Sequence, residues 1–243
     1  MRNSIAAAVI AASAATTACG QHRGEDPGPT VSRNYQVGSF HEIEVAGPYE
    51  VAVRTGGNPA VAAEGSQKLL ERTVVEVKGD KLVMHPRTEH KSWFSRGWSS
   101  KGHANFAVTV PQLSAATIAG SGDIRIDKVG GERFEGAVGG SGGLSVDTVN
   151  VGALKLKIGG SGSVKAGTGK AQSGSYAIGG SGDIDAGGVQ TQQAKVSIAG
   201  SGSVKANASS AADVSIMGSG DVDVTGGAKC SVNKAGSGSV TCS

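Results

Sequence analysis

The chain has 243 residues, 40 of them glycine, with a net charge of +3 and only 4% aromatic residues. So few rings exclude a thick aromatic core, and the small, dispersed charge without a basic stripe excludes a nucleic-acid surface. Aperiodic glycine at this density would signal disorder, but here the glycines keep a period.

At the N-terminus, Arg2 precedes an apolar stretch from Ile5 to Ala15, too short to span a bilayer as a helix. It ends in Thr16-Thr17-Ala18-Cys19-Gly20, and an apolar run closing on small residues is a secretory signal, here residues 1–18. The cysteine directly after it resembles a bacterial lipobox, which would make Cys19 the lipidated first residue of the mature chain. Ordinary cleavage after Ala18 is the alternative. Gly20 rather than Asp beside the cysteine resembles lipoproteins sorted to the outer membrane, facing the periplasm or the cell surface. The polar, proline-containing stretch that follows makes 19–34 a flexible tether.

Residues 35–110 carry fragments of a pattern that becomes regular later. Val45-Ala46-Gly47-Pro48-Tyr49-Glu50-Val51-Ala52-Val53 overlays on Ile118-Ala119-Gly120-Ser121-Gly122-Asp123-Ile124-Arg125-Ile126 without a gap. Val77-Lys78-Gly79-Asp80-Lys81-Leu82 is a shorter, degenerate version. The region reads as irregular first rungs with insertions around 55–72 and 86–103, or alternatively as a small separate β-domain. The second insertion holds both tryptophans, Trp93 and Trp98, with Phe94, Arg87, Lys91, Arg96 and Lys101. It can fold down to plug the end of a solenoid, or stay exposed and contact glycans, anionic lipid headgroups or an envelope protein.

Residues 111–243 repeat. Gly-Ser-Gly stands at 120–122, 140–142, 160–162, 180–182, 200–202, 218–220 and 236–238, a period of 20 residues that shortens in the last coils. A fixed period of this size means coils stacked on one another. Alternating apolar residues flank each triplet, as in Leu154-Lys155-Leu156-Lys157-Ile158, the mark of strands with one buried face. Ile118, Val138, Ile158, Ile178, Ile198 and Ile216 form one inward column, and Ile124, Leu144, Val164, Ile184, Val204, Val222 and Val240 another. Arg125, Ser145, Lys165, Asp185, Lys205, Asp223 and Thr241 form an outward ladder, and no two neighbouring rungs both carry Asp after the triplet, so like charges are never stacked there. Segments such as Gly167-Thr168-Gly169-Lys170 read as the turns of an outer arc. The fold class is all-β, a single-stranded parallel β-helix.

With Cys19 assigned to lipid, Cys230 and Cys242 remain. They flank Gly236 symmetrically on inward columns, so a disulfide closing the C-terminal end is expected in an oxidising compartment. Two buried thiols are the alternative.

Signals for chemistry are weak. Gly179-Gly180-Ser181-Gly182-Asp183-Ile184 has the look of a calcium-binding nonapeptide, but the period is wrong and neighbouring rungs put Ser or Gly where a second Asp would be needed. No glycine run has the lysine of a phosphate loop. His22, His41, His85, His90 and His103 lack metal-ligand spacing. Neither a metal, a cofactor nor a catalytic residue is expected.

Phe40-His41-Glu42-Ile43-Glu44-Val45, Gly47-Pro48-Tyr49-Glu50-Val51, Leu82-Val83-Met84, Val108-Thr109-Val110-Pro111-Gln112-Leu113 and the Gly-Ser-Gly-Asp-Ile series resemble the bacterial DUF2807 family, described as a putative auto-transporter adhesin head domain. The likeness covers roughly residues 38 to 230. It implies a β-helical, exported protein with no established enzymatic activity, and it supplies no catalytic or binding residues. The reading that follows is a non-enzymatic, lipid-anchored envelope protein acting as an adhesin-like module or scaffold. A β-helix carbohydrate-active enzyme and a periplasmic partner in envelope stress signalling are the alternatives.

Overall fold

The computed structural model describes residues 28–87 and 103–243. In chain order the strands are β1 (Thr30–Tyr35), β2 (Glu42–Ala46), β3 (Glu50–Thr55) and β4 (Ala60–Ser66), followed by the short helix α1 (Gln67–Glu71). Then come β5 (Thr73–Lys78), β6 (Lys81–Pro86), β7 (Ala104–Val110) and β8 (Ala115–Gly120). Five long strands follow: β9 (Asp123–Gly140), β10 (Gly143–Gly160), β11 (Ser163–Gly180), β12 (Asp183–Gly200) and β13 (Ser203–Gly218). The chain closes with β14 (Asp221–Thr225), β15 (Lys229–Ala235) and β16 (Val240–Cys242).

All sixteen join one sheet, and from β8 onward every pairing is parallel. The molecule is the parallel β-solenoid expected from the repeat. The columns fall in the expected register: Ile124, Leu144, Val164, Ile184, Val204, Val222 and Val240 are rung partners in sequence. The outward ladder from Arg125 to Thr241 stacks in the same way. The shorter coil of β13 loses its residues at the outer arc, where the register slips between Asp185 and Gln193 and then recovers.

The corner shows why glycine recurs. Gly180 sits at φ +134°, and a Cβ there would overlap the carbonyl oxygen of Gly160 one rung below. Both the backbone angle and the close approach require glycine. The column of Asp and Ser after the corner has a further logic. Asp183 accepts from the backbone N–H of Ser203 on the next rung at 3.2 Å and from its hydroxyl at 2.5 Å. Asp221 does the same for Ser239, at 2.9 and 2.6 Å. An Asp here needs a donor above it, which a second Asp could not supply.

Inside, large and small residues balance within coils and between them. Phe134, Leu154, Gly174, Ala194 and Ala212 stack in one buried column; Gly136, Leu156, Tyr176, Val196 and Val214 stack in the next. The coil with Phe has Gly two residues on, and the coil with Tyr176 has Gly174, where a Cβ would strike the phenol. Close packing leaves no room for a second bulky side chain beside either ring. The Tyr176 hydroxyl is buried without a partner, and burial pushes its ionisation well above the ordinary phenol value.

The described residues ahead of β8 depart from the expected plan. β2 and β3 do stack under β8 and β9 with the gapless overlay, Val45 on Ile118 and Val51 on Ile124. However, β1–β4, β4–β7 and β5–β6 are antiparallel. The Gly79–Asp80 pair is a hairpin turn between β5 and β6 rather than a solenoid corner. Residues 30–34 of the expected tether form most of β1, because its N–H and C=O groups find partners along β4. The outer arc is also corrected: β11 runs unbroken through Gly167–Lys170, so the coils bend as strands rather than turning in loops. Ahead of β8 three aromatics, Phe40, Tyr49 and Phe106, join the aliphatic core, the last two in edge-to-face contact at 5.5 Å.

Candidate functional site

A furrow runs along one flank, built from outward residues at the bend of each coil. Asn150 stacks on Gly130, Lys170 on Asn150, Gln190 on Lys170 and Asn207 on Gln190, forming one bank. Gly152, Gln172, Gln192 and Ser209 line the other, with Val151, Ala171 and Thr191 between them. The space they enclose is about 780 Å³. A second hollow of about 440 Å³ adjoins it, bounded by Thr55, Gln112, Lys128, Thr148 and Asn150 among others. Asn150 belongs to both, so the furrow is continuous from the first rungs to Gly226.

Its walls are held by hydrogen bonds across rungs. Thr191 Oγ1 donates to the Asn207 carbonyl at 2.7 Å, and Ser209 Oγ to the Thr191 carbonyl at 3.2 Å. Gln112 Nε2 donates to the Gly130 carbonyl at 2.9 Å. Thr55 donates its N–H to Asp127 at 3.0 Å and is in reach of the Lys128 carbonyl. The charged groups among the lining residues are Lys128 and Lys170, and no carboxylate lines either hollow. Amides and hydroxyls both donate and accept, so the furrow can hold a polar chain by hydrogen bonds, while it offers no carboxyl for proton transfer.

Several carboxylates elsewhere are paired with basic side chains. Lys157 lies 2.7 Å from Glu135 and Lys155 3.7 Å, and the hydrogen bond from Lys157 holds the Glu135 carboxyl below its usual range. Asp147 faces Arg125 at 3.3 Å. His41 pairs with Asp80 at 2.8 Å and His85 with Glu76 at 3.2 Å. Among the described residues no three His, Cys, Asp or Glu gather as a metal site, and no helix is long and apolar enough to cross a membrane.

Cys230 and Cys242 form the expected disulfide. Cys230 stacks on buried Ala212 and Cys242 on buried Val224, so the bond crosses the open end of the core. Of the aromatic-basic contact loop, Arg87 is described: it is exposed, and its N–H donates to the Arg72 carbonyl at 2.6 Å. Lys91, Trp93, Phe94, Arg96, Trp98 and Lys101 lie outside the described residues, as do residues 1–18 and Cys19. The furrow was not anticipated from sequence. Its signal was the column Asn150, Lys170, Gln190, which the 20-residue spacing already aligns; Asn207 joins it only through the register shift of β13.

A family model described as "Putative auto-transporter adhesin, head GIN domain" (DUF2807) matches residues 39–228. No match was found among curated proteins. Among solved structures, one described as a putative adhesin from Bacteroides fragilis is 22% identical, with a TM-score of 0.79 over 88% of this chain and 97% of that one. A protein from Parabacteroides distasonis described as a putative lipid binding protein is 22% identical, with a TM-score of 0.67 over 89% and 97%. A putative adhesin from Parabacteroides merdae is 17% identical, with a TM-score of 0.68 over 89% and 97%. At these identities the likeness is one of fold.

Proposed function

The chain belongs to the DUF2807 family, and on that premise we propose that it is a non-enzymatic, lipid-anchored envelope protein working as an adhesin-like binding module. The observation that carries this reading is the carboxylate-free polar furrow along a rod whose backbone is locked rung to rung. Such a surface is formed before its ligand arrives, so little ordering entropy opposes binding. A glycan-hydrolysing β-helix would need two carboxyl groups gathered on a groove, and no carboxylate lines this one.

Export by residues 1–18 and lipidation of Cys19 would fix the rod to the outer membrane, with the residues ahead of β1 as the tether. The aromatic-basic segment is flanked in sequence by β6, which ends at Pro86, and by β7, which starts at Ala104. Trp93, Phe94 and Trp98 with their neighbouring cations would then add a second contact near the N-terminal rungs. Cells expressing the full chain should incorporate labelled palmitate and retain the protein in membranes, whereas Cys19→Ala should release it. The purified protein should sediment with envelope fragments. Acyl-free protein beginning at Cys19 would remove the anchor, and failure to bind any envelope fraction would remove the module.

A further inference from the structure

Resting on the binding-module reading, we propose that the flank furrow is a binding site for a linear acidic polysaccharide laid parallel to the solenoid axis. Peptide is a poor fit. Backbone groups along the furrow already pair with the rungs on either side, for example Asn150 with Gly130 and Lys170, so no open edge is available for strand addition. What the surface presents instead is side-chain amide and hydroxyl, and these can donate to and accept from sugar hydroxyls.

Charge selects among glycans. Lys170 stands exposed in the middle of the first hollow and Lys128 borders the second. Of the acids nearby, Asp127 accepts from Thr55 and Asp147 faces Arg125, while Glu132 stacks under Gly152 at the N-terminal end of the second bank, outside the lining. A carboxylated sugar would therefore meet two cations and no carboxylate among the lining residues. Dimensions select a chain over a single sugar. The furrow repeats at every rung from Gln112 to Gly226, about 29 Å at roughly 4.8 Å per rung, a repeat close to the length of one pyranose. No aromatic side chain lines it, so recognition is by hydrogen bond and charge rather than stacking, and it weakens as salt is added.

The test uses the full-length lipoprotein in detergent micelles, titrated with a long oligogalacturonate and with a neutral cello-oligosaccharide. The oligogalacturonate should bind, more weakly at high salt, and the neutral chain should bind less well. Lys170→Glu should weaken the acidic ligand about tenfold or more, a loss of about 1.4 kcal/mol. Lys195→Glu, which changes net charge equally at an exposed position outside the furrow, should leave affinity unchanged. Circular dichroism establishes that both variants are folded. Equal binding of the two oligosaccharides would overturn the acidic class, and equal behaviour of the two variants would overturn the site. If envelope fragments are bound while Lys170→Glu has no effect, the furrow fails and the module stands. Binding to no envelope material would instead defeat the module itself.

Discussion

The two ends of the rod are stabilised by different means. From β8 onward the core is thin and mostly aliphatic, every pairing is parallel, and each coil is positioned by a glycine corner and a register shared with its neighbours. Residues 28–87 and β7 instead use antiparallel partners, a short helix and a cluster of Phe40, Tyr49 and Phe106. A stack of like coils has no internal reason to stop. Its first rung needs something unlike itself to cover the exposed edge. β4 and β1 do this on one wall and β5 on another. At the far end no such cover is described: Val232 continues the column of buried Val214 and Val196 but is 47% exposed, and a covalent bond holds the last strands instead.

The contrast breaks most sharply at Ile158. An unpaired carboxylate in this thin interior has no partner, so Ile158→Asp should destabilise the coils by more than about 4 kcal/mol. Hydrogen exchange should show protection lost from β9 to β12 and kept in β2, β3 and β7; uniform loss would make the two regions one cooperative unit. Its neighbour Lys157 points outward to Glu135, so Lys157→Asp should have a far smaller effect, limited to that surface pair. Next in size is the covalent end. Reducing Cys230–Cys242, or changing Cys230→Ser, should cost about 3 kcal/mol and loosen β15 and β16 first. An unchanged melting temperature would mean that the last coil holds itself.

The smallest effect belongs to acid. Hydrogen bonds from the Ser239 hydroxyl and N–H hold the Asp221 carboxyl below its usual value. A carboxyl depressed in the folded state stabilises above its unfolded pKa, and that contribution is lost as pH falls through the folded value. Asp221→Asn should therefore flatten the acid limb of a melting-temperature profile taken down to about pH 3. An unaltered profile would show that the Asp–Ser pair is structurally idle.

The repetitive half was legible because its spacing specifies which residues stack: the overlay of Val45 on Ile118 and the ladder from Arg125 both hold in the structure. The Asp column was seen only as avoidance of like charge, while its cause is the donor that Ser supplies from the rung above. The N-terminal half was legible only in part. β4 and β5 carry no repeat, and their antiparallel partners are chosen by unpaired edges, which a local pattern does not display. The furrow was missed for another reason. Asn150, Gln172, Gln190 and Gln192 lie in the outer arc, whose glycine-rich segments read as turns, and their meaning as a surface appears only once the arc is known to be strand.

Volume balance within the coil of β11 has a genetic corollary. Tyr176 is offset by Gly174 of the same coil, whereas the space beside Gly136 is taken by Leu144 and Leu156 of the next coil. Residues 163–182 could be excised in frame, and Gly160 and Gly162 would meet Gly200 and Gly202 as they now meet Gly180 and Gly182. Duplication of the same stretch would extend the rod by one rung, about 4.8 Å, while both ends remained as they are. The length of such a rod can thus change in whole steps, by unequal recombination between repeats, without new packing having to be found.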